Sequence, residues 1–222
     1  PFEEHEGRRT EKKSLADAVV NPHQQDCGYP YKELCGAGVA WNVIRVLYEN
    51  YDMDKREAED LLDFVAMATV CDVMSLTGEN RILVKEGLKR IRHTKNIGLQ
   101  ALMQACNVQP ENISAYHFGY VLGPCVNAAG RLDTARHALR LFETGQETEA
   151  EEIARDLVDL NQERKELTLQ GVEMAKKLCE EGGYENDPVL VLFLPDVHES
   201  IAGLIAGRIR ERYYRPVFVL TR

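Results

Sequence analysis

At 222 residues the chain is long enough for one large domain or two small ones. Its 44% hydrophobic and 28% charged residues are those of a folded globular protein, not of a disordered or collagen-like one. The net charge of −9 excludes nucleic-acid binding by bulk electrostatics, so such a role requires Lys and Arg gathered locally.

No run of about 18 apolar residues occurs and the opening PFEEHEGRRTEKK is charged, so neither a membrane span nor a signal peptide is expected. The six cysteines (Cys27, Cys35, Cys71, Cys106, Cys125 and Cys179) are scattered without a C-x-x-C or a Cys/His cluster at zinc spacing. Buried free thiols are the expectation.

After a polar first dozen residues, Ala18-Val19-Val20 before Asn21-Pro22 predicts a short strand ended by a turn. From Gly36-Ala37-Gly38, apolar positions recur at helical spacing through Val39, Val43, Val46 and Leu47. Asp54 with Glu57 resembles a capping box and opens a second helix that continues through Ala66. The small-residue stretch 68–72 then ends in Asp72, near an element's end, where site residues gather.

Helical periodicity resumes from Asn80 to about Cys106, punctuated by Asn96 and Gly98, and Gly123-Pro124 is expected to break the chain before Asn127-Ala128-Ala129-Gly130-Arg131. From about Gln146 to Glu181 an uninterrupted three-to-four spacing predicts a helix on the order of 50 Å long, suited to connecting two domains. Its interior, Asn161 to Lys165, is polar all round, as expected of a stretch crossing solvent. Gly182-Gly183 ends it. The apolar run Val189–Leu194, a helix from about Ser200 to Arg212 and a second run Val217–Leu220 then predict a parallel β-α-β unit with strands buried on both faces.

Four residues carry candidate chemistry. Asp72 is a carboxylate among small residues, suited to a hard cation, and equally to a helix cap. Asn127 and Arg131 combine close backbone approach with a planar fork matched to phosphate, the alternative being a packing turn in which Arg131 pairs with Asp133. His198 stands at the carboxyl end of a parallel strand, ahead of a helix N-terminus that could meet an anion, and it could as well be a cap. Gly203 and Gly207 are expected to let their helix lie close on its sheet. The basic, aromatic run Arg208 to Arg215 is a candidate strand-binding patch or a solvated helix face. Walker and dinucleotide-binding loops are absent, as is a nucleophile in triad context.

Taken in order, the segments AVVNPHQQDCGYPYKELCGAGVAW, ATVCDVMSLTGENRILVKEGL, GPCVNAAGRLDTA, LNQERKEL and VHESIAGLIAGRIRERYYRPVFVL resemble the RecJ family of the DHH phosphoesterase superfamily, from about residue 15 to the last residue. The resemblance implies an α/β chain in three parts. Residues 1–145 would be the helix-rich C-terminal part of a DHH catalytic domain, 146–183 a connecting helix, and 184–222 the N-terminal part of the DHH-associated domain. It further implies a cytoplasmic 5′-to-3′ exonuclease on single-stranded DNA, used in recombination and repair. Two Mn²⁺ or Mg²⁺ ions would activate water and stabilise the attacking and leaving oxygens.

Asp72 would be the catalytic, metal-ligating aspartate of its motif. Asn127, Arg131 and His198 would contact substrate. The family's D-x-D-x-D-G segment and D-H-H triplet do not occur, and His5 does not replace them. The chain stops at Thr221-Arg222, before the family's Gly/Ser/Arg-rich segment, and Val197-His198-Glu199-Ser200 stands at the W-H-x-G position. With one carboxylate for two cations, this chain alone is expected to be inactive. The alternatives are a DHH phosphoesterase acting on oligonucleotides or cyclic dinucleotides, and a non-catalytic RecJ-like scaffold.

Overall fold

The structure, a computed structural model, describes residues 2–5, 8–11, 16–184 and 187–222. They pack as two compact units, residues 1–87 and 88–222.

The first unit opens with an antiparallel hairpin, β1 (Phe2–His5) and β2 (Arg8–Glu11), paired from Phe2↔Glu11 to His5↔Arg8. The strand expected at Ala18–Val20 does not form. These residues join no ladder and expose Val19 and Val20, because a short apolar run becomes a strand only where a partner meets its N–H and C=O groups.

Helix α1 (Gly36–Asn50) follows, and Trp41 donates its indole N–H to the Ala58 carbonyl at 2.7 Å. The second expected helix divides at Leu61 into α2 (Lys55–Asp60) and α3 (Leu62–Cys71). Asp54 caps α2, accepting from the Arg56 amide at 3.0 Å. Leu34, Trp41, Leu62, Val65 and Leu83 form the core here, Leu83 coming from α4 (Gly78–Arg90).

The second unit is organised along one helix. A 3₁₀ turn, Ile91–His93, leads to α5 (Ile97–Ala105), capped by Asn96, which accepts from the Leu99 amide at 2.9 Å. After a 3₁₀ turn at Pro110–Asn112, the chain runs as one helical path through α6 (Ala115–His117), a π-helical turn (Phe118–Leu122) and α7 (Gly123–Leu132). The break expected at Gly123-Pro124 is therefore absent. Proline removes an N–H and crowds the carbonyl four residues back, and here the widened turn immediately before it absorbs that conflict.

Helix α8 (Ala135–Glu143) precedes α9 (Glu147–Gly182), whose 36 residues span about 54 Å at 1.5 Å per residue. Gly183 ends α9 at φ 68°, a left-handed position suited to glycine. Helix α9 packs against α5, α7 and α8 over its first part. Farther along, Val172, Ala175 and Cys179 join the core of a β-α-β unit. That unit is β3 (Leu190–Phe193), α10 (Glu199–Tyr213) and β4 (Val217–Leu220), the strands parallel from Leu190↔Val217 to Phe193↔Leu220.

Three expectations need correction here. The strands are buried on one face only. Leu190 and Leu192 point into the core, while Val191, Phe193, Phe218 and Leu220 are each at least half exposed, since only one side is covered by α9 and α10. Gly203 and Gly207 make no close approach, a Cβ at either meeting nothing within 4 Å. Residues 161–165 are not solvated all round: Asn161 is 5% exposed and bonds to Cys125 of α7, while Gln162, Glu163 and Lys165 are exposed.

At the start of α9, Arg140 donates to both oxygens of Glu149 (2.7 and 2.9 Å), and the Thr144 hydroxyl donates to the same carboxylate. The Arg140 bonds, then Thr144, hold the Glu149 carboxyl below its ordinary 4.5. With the folded value depressed, this contribution to stability is present above the unfolded value and is lost as pH falls through the folded one. The pair is solvent-exposed, so the effect on stability is small. We expect the Glu149 carboxyl resonance to titrate below the other exposed glutamates, and Arg140→Ala to return it to them.

Candidate functional site

In the first unit, the α3 helix ends at Asp72, whose amide donates to the Ala68 carbonyl at 2.9 Å. Val73 follows at φ 56° with 88% exposure, a conformation costing a β-branched residue on the order of 1–3 kcal/mol. That strained turn leaves Asp72 exposed at the helix end. The loop behind it is held to residues 31–33. Asn80 donates to the carbonyls of Glu33 (2.6 Å) and Ser75 (3.1 Å), and Tyr31 donates to that of Thr77 (2.9 Å). Gly78, at φ +47°, lies where a Cβ would stand 2.7 Å from the Tyr31 ring.

Burial pushes the neighbouring Cys71 thiol up to about 11, and the negative charge of Asp72 adds to the shift. Among the described residues no group of three or more His, Cys, Asp or Glu is placed to hold a metal ion. Asp72 thus offers one oxygen-donor carboxylate where a hard cation needs several, and no catalytic step follows from these residues alone.

In the second unit, α7 turns Ala128 and Ala129 inward to full burial, and Asn127 and Arg131, one turn apart, outward. Both line a cleft of about 620 Å³ with Gly130, Leu139, Phe142 and Ser200. Arg131 Nη1 donates to the Ser200 carbonyl at 2.7 Å, so its partner is a neutral oxygen and not the alternative Asp133. His198 is the N-cap of α10: its Nδ1 accepts from the Ser200 amide at 3.3 Å and lies 2.7 Å from Ser200 Oγ. The structure therefore brings Asn127 and Arg131 together with Ser200, whereas the His198 ring is engaged in capping. Asp72 belongs to the other unit.

Several residues escaped the sequence reading. Cys106 and Cys125, 19 positions apart, meet with sulfurs 3.8 Å apart, and Asn161 donates its amide to Cys125 Sγ at 3.5 Å. The bond from Cys106, then Asn161 and the charges of Lys165 and Arg164, hold the Cys125 thiol down, while the same contact and burial raise Cys106. Asn161 Oδ1 accepts from Arg164 Nε (3.2 Å) and Nη2 (2.9 Å).

A different face of α9 is acidic: Asp156, Asp159, Glu163 and Glu166 line a depression with Asp133 and His137, a surface that repels a polyanion. In the Arg208–Arg215 run, Arg208 pairs with Glu211 at 3.7 Å and Arg212 lies 5.8 Å from the Tyr213 ring centre.

By fold the chain is an α/β protein whose second unit is arranged along one long helix, and the proteins it is similar to are nucleases. No family model matches it. It is 36% identical over 219 residues to the single-stranded-DNA-specific exonuclease RecJ of Haemophilus influenzae, and 37% identical over 216 residues to that of Escherichia coli. The Haemophilus match covers 93% of this chain and 38% of the relative; for the Escherichia protein the shares are 91% and 37%.

A RecJ from Thermus thermophilus solved with Mn²⁺ superposes with a TM-score of 0.76 at 34% identity, over 89% of this chain and 28% of that one. A manganese-bound exonuclease RecJ gives 0.81 at 33%, over 95% and 52%. Over the residues matched, the chain is similar to these RecJ exonucleases, and it spans less than two fifths of the length of the two curated relatives.

Proposed function

We propose that this chain is part of a metal-dependent, single-stranded-DNA-specific 5′-to-3′ exonuclease acting in DNA recombination and repair in the cytoplasm. Residues 1–145 then belong to its DHH catalytic domain, 146–183 to the connecting helix and 184–222 to the DHH-associated domain. Asp72 supplies one ligand to a Mn²⁺ or Mg²⁺ centre. Asn127 and Arg131 receive a backbone phosphate, with His198 ordering the adjoining helix start, and Arg208–Arg215 adds basic and aromatic contact to the strand. The names of the relatives support the activity.

The observation that carries the reading here is the cleft in which Arg131 and Asn127 face Ser200 with no carboxylate bound to the guanidinium. No helix among the described residues is long and apolar enough to cross a membrane.

Fluorescence anisotropy of the 222-residue chain with labelled oligo(dT) and with duplex of equal length tests the reading. Preference for the single strand is expected. Arg131→Gln should lower its affinity roughly tenfold and reduce the salt slope by about one. Equal affinity for both forms, or an indifferent Arg131, would count against it. Incubated with Mn²⁺ and single-stranded DNA, the chain should release no mononucleotides; processive release would show that its own residues complete the metal centre.

A further inference from the structure

Three arginines among the described residues are paired with a nearby carboxylate. Arg56 lies 3.4 Å from Asp54, Arg140 2.7 Å from Glu149 and Arg208 3.7 Å from Glu211. Arg131 and Arg164, like Arg45 and Arg155, donate to neutral oxygens instead. Among the described residues neither has a carboxylate partner. Arg131 donates to the Ser200 carbonyl, and Arg164 donates through Nε and Nη2 to the single oxygen Asn161 Oδ1. Each guanidinium carries five N–H groups, so both retain donors with no protein acceptor.

The two side chains come from helices that pack together, α7 and α9. Asn161, which orients Arg164, is itself tied to α7 through Cys125, six residues and about 9 Å along the helix from Arg131. Arg164 is half-buried, and its guanidinium is held below its ordinary value by burial and then by the positive charge of Arg131. Lys165 adds a third cation near the same thiols. A half-buried cation that also feels a like charge is unfavourable, and a bound anion relieves both the repulsion and the donor deficit.

Resting on the proposed contact between Arg131 and nucleic acid, we propose that Arg164 is a second phosphate-binding residue, gripping with Arg131 one phosphate group of the strand. Asn161 acts as its positioning residue. The planar forks suit the task, since guanidinium and phosphate oxygens form paired charge-assisted bonds.

The test is anisotropy of the 222-residue chain with labelled oligo(dT) in EDTA across a range of KCl, comparing Arg131→Gln, Arg164→Gln, Arg164→Lys and the double glutamine variant. Arg164→Gln should weaken binding roughly tenfold and lower the salt slope by about one. The double variant should lose less than the product of the single losses, because the two act on one group. Arg164→Lys should keep the slope and lose affinity, as the charge remains and the fork does not.

Loss confined to 5′-phosphorylated oligonucleotide would place the seat at a strand terminus. Loss with 5′-hydroxyl oligonucleotide as well would place it on an internal phosphate. Displacement by millimolar inorganic phosphate with no effect of strand length would show a seat for free phosphate and overturn the assignment to a strand.

If Arg131→Gln weakens binding and Arg164→Gln does not, the inference fails while the proposed function stands. If neither matters, the reading of the cleft fails with it. Should circular dichroism show Arg164→Gln unfolded, Arg164→Lys decides: unchanged affinity overturns the proposal.

Discussion

Gly98→Ala is expected to destabilise the second unit by on the order of 3 kcal/mol, lowering its melting temperature by roughly ten degrees. A Cβ on residue 98 would stand 2.0 Å from the Leu141 carbonyl oxygen and 2.7 Å from its carbon. The obstacle is backbone of α8, whose Leu141 side chain is fully buried, so no rotamer change relieves it. Two residues earlier, Asn96 accepts from the Leu99 amide at the start of α5 and donates to the Phe142 carbonyl at 2.9 Å. Forcing α5 away from α8 therefore costs the cap as well, about 1 kcal/mol. Urea unfolding followed by circular dichroism measures the sum. A change below about 1 kcal/mol would mean that the two backbones do not meet as described.

Phe118→Ala should cost about 3–5 kcal/mol, the usual range for deleting a buried aromatic ring. Phe118 is fully buried and opens the π-helical turn that feeds α7. Its loss leaves a void beneath the segment that orients Asn127 and Arg131, so DNA affinity should fall together with stability. Phe118→Leu, which fills most of the volume, should cost about 1–1.5 kcal/mol and leave affinity nearly intact. Thermal melts alongside anisotropy separate the two. An alanine variant that binds DNA like the unmodified chain would disconnect the turn from the cleft.

Much of the architecture is local in origin and so was legible. The 3.6-residue spacing marks α1, α9 and α10, Asp54 announces its own cap, and Gly183 supplies the left-handed residue that stops α9. What depends on distant partners was not. The run at Ala18–Val20 has strand composition and joins no ladder, while the largely charged Phe2–His5 and Arg8–Glu11 pair as strands. Pro124 marks a break by every local rule, yet the π turn carries the helix through it.

The site divides in the same way. Asn127 and Arg131 stand out because they are one turn apart among small residues. Arg164 lies in a stretch whose composition argues for solvent, and only the packing of α9 on α7 turns it inward. Cys106 and Cys125 carry no shared motif, and their contact is a product of tertiary packing.

Both walls of the cleft lean on one beam. Asn161 of α9 braces α7, and two to three turns later Gly171 of the same helix receives the tip of Ile205 from α10, with no room for a methyl group (2.3 Å). The Arg131–Ser200 bond is the third side of that triangle. The opening between Asn127 and residue 200 is thus set by rigid rods and not by a loop. A bulky side chain at position 171 would meet Ile205, pry α10 outward and widen the gap without touching any residue that lines it.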